Sequence, residues 1–253
     1  MLRKFRIGED ALNKGLDPAQ EKGLEEGYND IHLQVQGHWK ETLYPDIYGI
    51  PESLLTLLSQ VISLANEKTR LDSIARNDPA ISDALARHVK TLENSIWSWT
   101  LAGVRNGPSQ TEVAQSSHEA DLGLLDQPGT RSMVLAMHQA LVIYFYRRIY
   151  NVSAMIMQEF VRKTLDHLRP CLEAGTLDQD VAITIAWPAF IAACEAITPT
   201  LQAEALRCLS AIDNKGSLFA SDTASEIVSS IWARRLISGD WSFSWPNLTA
   251  GTL

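Results

Sequence analysis

The apolar residues of this chain recur mainly at intervals of three and four, the spacing of an amphipathic helix. The first clear set is Leu54, Leu57, Leu58, Val61 and Leu64, which predicts a helix from about Pro51 to Glu67. Asn77 or Asp78 is expected to cap the start of the second helix. The further helices are predicted at about 79–101, 130–150, 153–168, 180–197, 200–212 and 222–237. The pattern therefore predicts an all-α fold.

Residues 140–146, ALVIYFY, are apolar on every side of their predicted helix. A helix without a polar face is surrounded by other helices, so this segment predicts the buried centre of a multi-helix bundle. Strand-like alternation is nearly confined to WSFSW, residues 241–245, where three aromatic residues share one side of an extended segment. We expect this extended aromatic C-terminal tail to lie against the helical body.

Two stretches show no sustained period. Residues 1–47 mix glycine, charge and isolated apolar positions, and are expected to form an irregular N-terminal segment. Residues 103–129 are polar and rich in glycine and proline, which predicts a disordered loop. Residues 48–248 are expected to form one helical domain that contains this loop.

Composition narrows the classes of function. With 45% hydrophobic and 21% charged residues, the chain has the composition of a globular protein rather than a disordered one. A net charge of −8 leaves no surplus of cations for phosphates, so DNA binding by this chain alone is not expected. No apolar run reaches the length of a membrane span. The three cysteines are far apart, which predicts neither a zinc site nor a disulfide framework.

Known catalytic patterns are missing from the chain. It contains no GxSxG, GxxxxGK[ST], GxGxxG or HExxH, and its six histidines are scattered. Cys194 and Glu195 are adjacent within ITIAWPAFIAACEA, residues 183–196. Neighbours on a helix point about 100° apart, so this adjacency does not make a catalytic pair. We interpret the segment as a core helix, and Trp187-Pro188 resembles a helix start because proline is tolerated in the first turn.

Two ionisable residues in apolar surroundings need an explanation. Glu195 requires a partner or a shifted pKa, and a buried salt bridge to Arg147 or Arg148 is favoured over contact with a ligand. His138 lies in helical register with apolar neighbours on the most buried helix. A core histidine with satisfied hydrogen bonds is favoured there over a ligand-binding one.

Four blocks of the chain, in this order, resemble the C-terminal regulatory region of fungal zinc-binuclear-cluster transcription factors, the arginine-metabolism regulator type in particular. The blocks are YGIPESLLTLLSQVISLANEK (48–68), HQALVIYFYRRIYNVSAMIMQEFVRKTLDHL (138–168), AWPAFIAACEA (186–196) and SIWARRLISGDWSFSWPNL (230–248). The resemblance implies a helical effector domain of a nuclear regulator of RNA polymerase II genes. It also implies partners in the transcription machinery, and a homodimer or a heterodimer with related regulators.

In that family a separate N-terminal module reads DNA, and six cysteines of the module hold two zinc ions. This sequence lacks the module, so we expect no cofactor in this chain and DNA contact only through a zinc-cluster module that is absent here. The resemblance then describes a regulator's C-terminal half, a truncated gene product or a stand-alone paralogue that binds and inhibits full-length regulators.

A small metabolite is the other expected partner, because a helical body with an all-round apolar central helix can hold a pocket between helices. If it is arginine, its guanidinium requires a carboxylate, and Glu195 and Glu159 are the candidates. His138 is the third candidate ligand-binding residue. The alternative is a small helical enzyme that uses Cys194, Glu195 or His138. Because the familiar catalytic patterns are missing, we expect a regulator and not an enzyme.

Overall fold

The computed structural model describes residues 49–101, 128–173, 179–213 and 221–249. The irregular segment expected at 1–47 lies outside these residues. So does the loop expected at 103–129, except for residues 128 and 129, which begin a helix instead. What is described confirms the all-α fold class. Its α-helices are α1 (Glu52–Ala75), α2 (Pro79–Ser98), α3 (Pro128–Ile149), α4 (Gln158–Glu173), α5 (Gln179–Glu195), α6 (Pro199–Asp213), α7 (Ser221–Ser238) and α8 (Trp245–Thr249).

The chain divides into two compact units, and the described part of the first is Glu52–Thr100. There α1 and α2 form a helical hairpin. Asp78 caps α2 as expected, because its carboxylate accepts hydrogen bonds from the backbone N–H groups of Ala80 and Ile81 at 2.9 and 3.4 Å. The buried apolar residues of the hairpin are Leu54, Leu57, Val61, Leu64, Ala65, Leu71, Leu85, Leu92 and Ile96.

Helix α1 is two turns longer than the apolar pattern predicted. It continues past Glu67 to Ala75 through a charged stretch. Lys68 pairs with Asp72 at 2.7 Å and Arg70 with Glu67 at 2.8 Å, at the spacings that place side chains side by side on a helix. Leu71 is completely buried, so one apolar contact and local ion pairs extend the helix where the periodicity fades.

The second unit is built around α3, as the all-round apolar sequence predicted. Residues 140–143 and Phe145 are at most 1% exposed, and α3 contacts both α4 and α5. Helix α5 in turn contacts α6 and α7. No helix among the described residues is long and apolar enough to cross a bilayer.

Trp187-Pro188 does not begin a helix, so that interpretation of the sequence is wrong. Helix α5 starts at Gln179 and Pro188 lies inside it. Proline has no N–H to donate and costs about 3 kcal/mol inside a helix. The alanine-rich surface of α5 is buried on several sides, and this tertiary packing offsets the local preference. The buried residues of α5 include Ala182, Ile185, Ala186, Ala189, Ile191, Ala192 and Ala193.

The aromatic tail lies against the helical body, but most of it is not extended. Trp241 and Ser242 form a turn, and Trp245 begins the short helix α8. The turn follows Gly239, whose φ of 68° reverses the chain after α7. Pro246 stands in the first turn of α8, where proline is tolerated, so it helps to start a helix instead of ending a strand.

Candidate functional site

A buried cluster of charged side chains joins three helices of the second unit. The carboxylate of Glu195, at the end of α5, lies 2.6 Å from the guanidinium of Arg235 on α7 and 2.9 Å from Nε of Arg147 on α3. The three side chains are only 1–4% exposed. We call this arrangement the Arg–Glu–Arg cluster.

The cluster forms where the C-terminal ends of three helices meet. Arg147 and Arg235 lie in the last turns of α3 and α7, and Glu195 is the last residue of α5. The end of a helix carries a partial negative charge, which favours guanidinium groups and disfavours a carboxylate. Two arginines at this junction therefore compensate both Glu195 and the helix ends.

Side chains from four positions satisfy the last carbonyl groups of α5. Trp232 Nε1 donates to the carbonyl of residue 193 at 3.0 Å, and Arg235 donates to that of residue 194 at 2.7 Å. Gln158 donates to the carbonyl of residue 195 at 2.8 Å, and Gln202 to that of residue 196 at 3.3 Å. Because carbonyls at a helix end have no partners within the helix, these four donors make the buried end of α5 possible.

The same two arginines hold the C-terminal segment. Arg147 donates to the carbonyl groups of Ser242 and Phe243, each at 2.9 Å, and also to that of Val152. Arg235 donates to the carbonyl of Phe243 at 2.8 Å. Three helix ends and the chain that follows α7 are thus joined by one set of charge-assisted hydrogen bonds.

Burial is the dominant electrostatic effect in the cluster. It raises the pKa of Glu195, and the guanidinium groups of Arg235 and Arg147 oppose that rise. Burial also lowers the pKa of Arg235, against the attraction of Glu195. Each charge is therefore costly without its partner, and removal of Glu195 would leave two uncompensated guanidinium groups in the interior.

A small cleft lies beside the cluster. It has a volume of about 10 Å³, which is room for one water-sized group. Its polar wall includes Arg147, Arg148 and Glu195, and Tyr144 and Trp245 are its aromatic walls. Cys194, Ile143, Ile191 and Ser244 complete the lining.

The arrangement does not make Cys194 a nucleophile. Burial raises the pKa of its thiol well above the ordinary value, so the thiol stays protonated at neutral pH. Cys194 and Glu195 both line the cleft, but the Glu195 carboxylate is engaged by two arginines. His138 is not among the lining residues. The cleft thus lacks the base and the reactive thiolate that the enzyme alternative needs.

The three candidate ligand-binding residues lie in different environments. Glu195 is in the cluster, and the salt bridge to Arg147 that the sequence favoured is present. Glu159 is exposed on α4 and pairs with Arg162 at 2.6 Å. His138 is half-buried on α3, with its Nδ1 3.5 Å from the amide nitrogen of Gln139. Their roles as ligand contacts stay predictions.

Sequence reasoning missed Arg235, the second partner of Glu195. Two signals pointed to it: the lone carboxylate of an apolar helix needs a cation, and Arg234 and Arg235 end a predicted helix. Local pattern did not distinguish these two arginines. Arg234 stacks on the ring of Phe243 at 4.9 Å and stays partly exposed, whereas Arg235 is fully buried.

Comparison with known proteins gives one match. The family model described as the fungal specific transcription factor domain matches residues 17–250, nearly the whole chain. No curated protein and no solved structure matches the chain significantly.

Proposed function

Because the chain belongs to the fungal-specific transcription factor domain family and its role is in the regulation of transcription, we propose that it is the effector region of a fungal regulator of RNA polymerase II genes. In this proposal it works in the nucleus through contacts with proteins of the transcription machinery. DNA is read by a zinc-cluster module, or by a related regulator that carries one and pairs with this chain.

The observation that supports a mechanism is the Arg–Glu–Arg cluster. Its three charges depend on one another, because each is costly to bury without its counterpart. We infer two states of the C-terminal segment, one held by Arg147 and Arg235 and one released from them. In the proposed mechanism, an effector changes the populations of these states, and partner proteins bind one of them better.

Exposed apolar side chains support action through protein contacts. Met155 and Ile156 are 60% and 67% exposed, and Leu236 and Ile237 are 79% and 86% exposed. The two pairs belong to neighbouring segments, since the backbone N–H of Ala154 donates to the carbonyl of Trp241 at 2.9 Å. Large apolar side chains exposed close together are typical of surfaces that bind other proteins.

A reporter assay tests the proposed role. The full chain is fused to a heterologous DNA-binding module in a fungal host, and transcription of a reporter with matching sites is measured. We expect the fusion to change reporter output relative to the DNA-binding module alone. Equal output from both, with the fusion present in the nucleus at normal abundance, would contradict the proposal.

Matched variants connect the role to the structure. Arg235→Met removes a partner of Glu195, whereas Arg234→Met changes the neighbouring, partly exposed arginine. We expect Arg235→Met to alter reporter output and Arg234→Met to leave it nearly unchanged. The double variant Leu236→Asp/Ile237→Asp is expected to lower output without loss of helix content, because it alters only exposed side chains.

Arginine metabolism is the finer part of the proposal. Glu195 can contact the guanidinium of a metabolite only if Arg147 or Arg235 moves away. Glu159 is exposed, so a metabolite only has to replace Arg162 as its ion-pair partner. Calorimetry of the purified chain with arginine, ornithine and proline tests this step. Absence of heat with all three at about 1 mM, a concentration that detects weak binding, would remove arginine metabolites from the proposal.

A further inference from the structure

The cleft beside the Arg–Glu–Arg cluster has more positive than negative charge. Arg147 and Arg148 line it, and Arg235 adjoins it through Glu195, the one carboxylate of this group. Asp240 also acts on Arg147, but it is exposed and its carboxylate accepts hydrogen bonds from Ser242. The cleft and its surroundings thus hold three guanidinium groups and one buried carboxylate, and no ion-pair partner for Arg148 is found in the described part of the chain.

One buried N–H group beside this cleft has no hydrogen-bond acceptor in the described part of the chain. It is Nε of Arg148, whereas Nε of Arg147 lies 2.9 Å from the carboxylate of Glu195. Buried donors in proteins nearly always have partners, so the Nε group of Arg148 indicates that an acceptor lies against it in the cleft.

We propose that the cleft binds the carboxylate group of a small organic acid or amino acid. The free volume admits a single oxygen-sized group, and a planar carboxylate that places one oxygen there leaves less bulk at the mouth of the cleft than a tetrahedral phosphate or sulfate does. One carboxylate oxygen enters the cleft, and the planar carboxylate lies against the guanidinium of Arg148. The rest of the ligand extends outward past Trp245, which is half-buried at the rim.

The cleft is proposed to bind the carboxylate of a ligand, whereas Glu195 was expected to contact a guanidinium. Arginine itself carries a carboxylate, so it belongs to the proposed class through its other end. Ser244 and Trp245 of the C-terminal segment line the cleft, and a bound carboxylate therefore contacts the segment that Arg147 holds. Any effect of this binding on the release of the C-terminal segment rests on the proposed function, whereas the binding itself does not.

Calorimetry of the purified full chain tests the binding. Sodium acetate, sodium phosphate and sodium chloride are compared at equal ionic strength, and arginine is compared with agmatine, which keeps the guanidinium and lacks the carboxylate. We expect heat from acetate and arginine at concentrations up to about 10 mM, the range of millimolar dissociation constants. Agmatine, phosphate and chloride are expected to give none.

Variants locate the site. Arg148→Met is expected to weaken acetate binding at least about tenfold, the usual effect of losing a hydrogen bond to a charged group. Arg148→Lys keeps the charge without the planar fork and is expected to give a smaller loss. Arg162→Met, which changes an arginine that is 51% exposed on α4, is the matched control and is expected to bind as the original chain does.

Three results would overturn the proposal. They are absence of heat from acetate, equal binding of agmatine and arginine, and equal binding of chloride or phosphate and acetate. Circular dichroism shows whether Arg148→Met is folded. If it is not, acetate binding by Arg148→Lys decides the assignment of the site. Failure of the reporter assay leaves this result unaffected, so the two proposals are tested separately.

Discussion

Replacement of Arg235 by methionine is the most direct test of the Arg–Glu–Arg cluster. The side chain of Arg235 makes three hydrogen bonds from a position that is 1% exposed. Methionine fills a similar volume and is flexible enough to fit an irregular space. The substitution therefore removes the charge and the donors while creating little cavity.

The expected cost follows from the partners that remain. Glu195 keeps Arg147, and the carbonyl of Phe243 keeps its hydrogen bond from Arg147 at 2.9 Å. The carbonyl of Cys194 loses the donor that Arg235 supplied at 2.7 Å. Loss of a hydrogen bond to the charged Glu195 costs about 1.5–3 kcal/mol, and a buried carbonyl left without a donor costs about 1–3 kcal/mol, which is about 3–5 kcal/mol together. We expect the free energy of unfolding to fall by about this amount.

Urea unfolding followed by circular dichroism measures the change, from the midpoint and slope of the transition. If the two compact units unfold separately, only the transition of the second unit is expected to shift. A double-mutant cycle with Glu195→Gln isolates the interaction. The double variant is expected to be about 1–3 kcal/mol more stable than the sum of the single effects predicts.

Arg234→Met is the matched control for this experiment. Its guanidinium stacks on the ring of Phe243, a contact worth about 0.5–1 kcal/mol at a partly exposed position. A loss below about 1 kcal/mol for Arg235→Met would refute the reasoning. An equal loss from Arg234→Met would also refute it, because the effect would then not depend on buried charge.

Four further predictions concern the buried thiols, the pH dependence of stability, one hydrogen-bonding side chain and two glycines. Burial raises the pKa of Cys171 and Cys208 from 9.0 to about 11, so both thiols should react with a thiolate-specific reagent at pH 8 about a hundredfold more slowly than in urea. Stability should then fall as pH rises from about 9 towards 11, because the unfolded thiols ionise first. Gln158→Ala, which loses hydrogen bonds of 2.7, 2.8 and 3.1 Å, should cost about 2 kcal/mol in thermal unfolding. Gly239→Ala and Gly49→Ala should each cost about 1–2 kcal/mol because their φ values are 68° and 63°. A fast reaction of the thiols at pH 8, an unchanged melting temperature for Gln158→Ala or unchanged stability of either glycine variant would contradict these expectations.

The sequence alone was sufficient to predict the fold class and the central helix. Both follow from local periodicity, since a helix that is apolar all round, such as residues 140–146, has to be surrounded by other helices. The need of Glu195 for a cation was also readable, because burial of an unpaired carboxylate is prohibitively costly. The end of α1, which depends on ion pairs, was misjudged, and so was Trp187-Pro188, which packing keeps inside α5, whereas the start of α5 was predicted to within one residue.

Only the tertiary structure decided which groups meet. Arg147 lies 48 positions before Glu195 and Arg235 lies 40 positions after it, and no local rule brings three helix ends to one point. It likewise decided that Arg235 is buried and Arg234 is not. The cleft beside Arg148 also arises from this convergence, because its walls belong to α3, α5 and the segment after α7. Long-range contacts of this kind are set by how whole helices pack, and helix packing depends on the shape of every face at once.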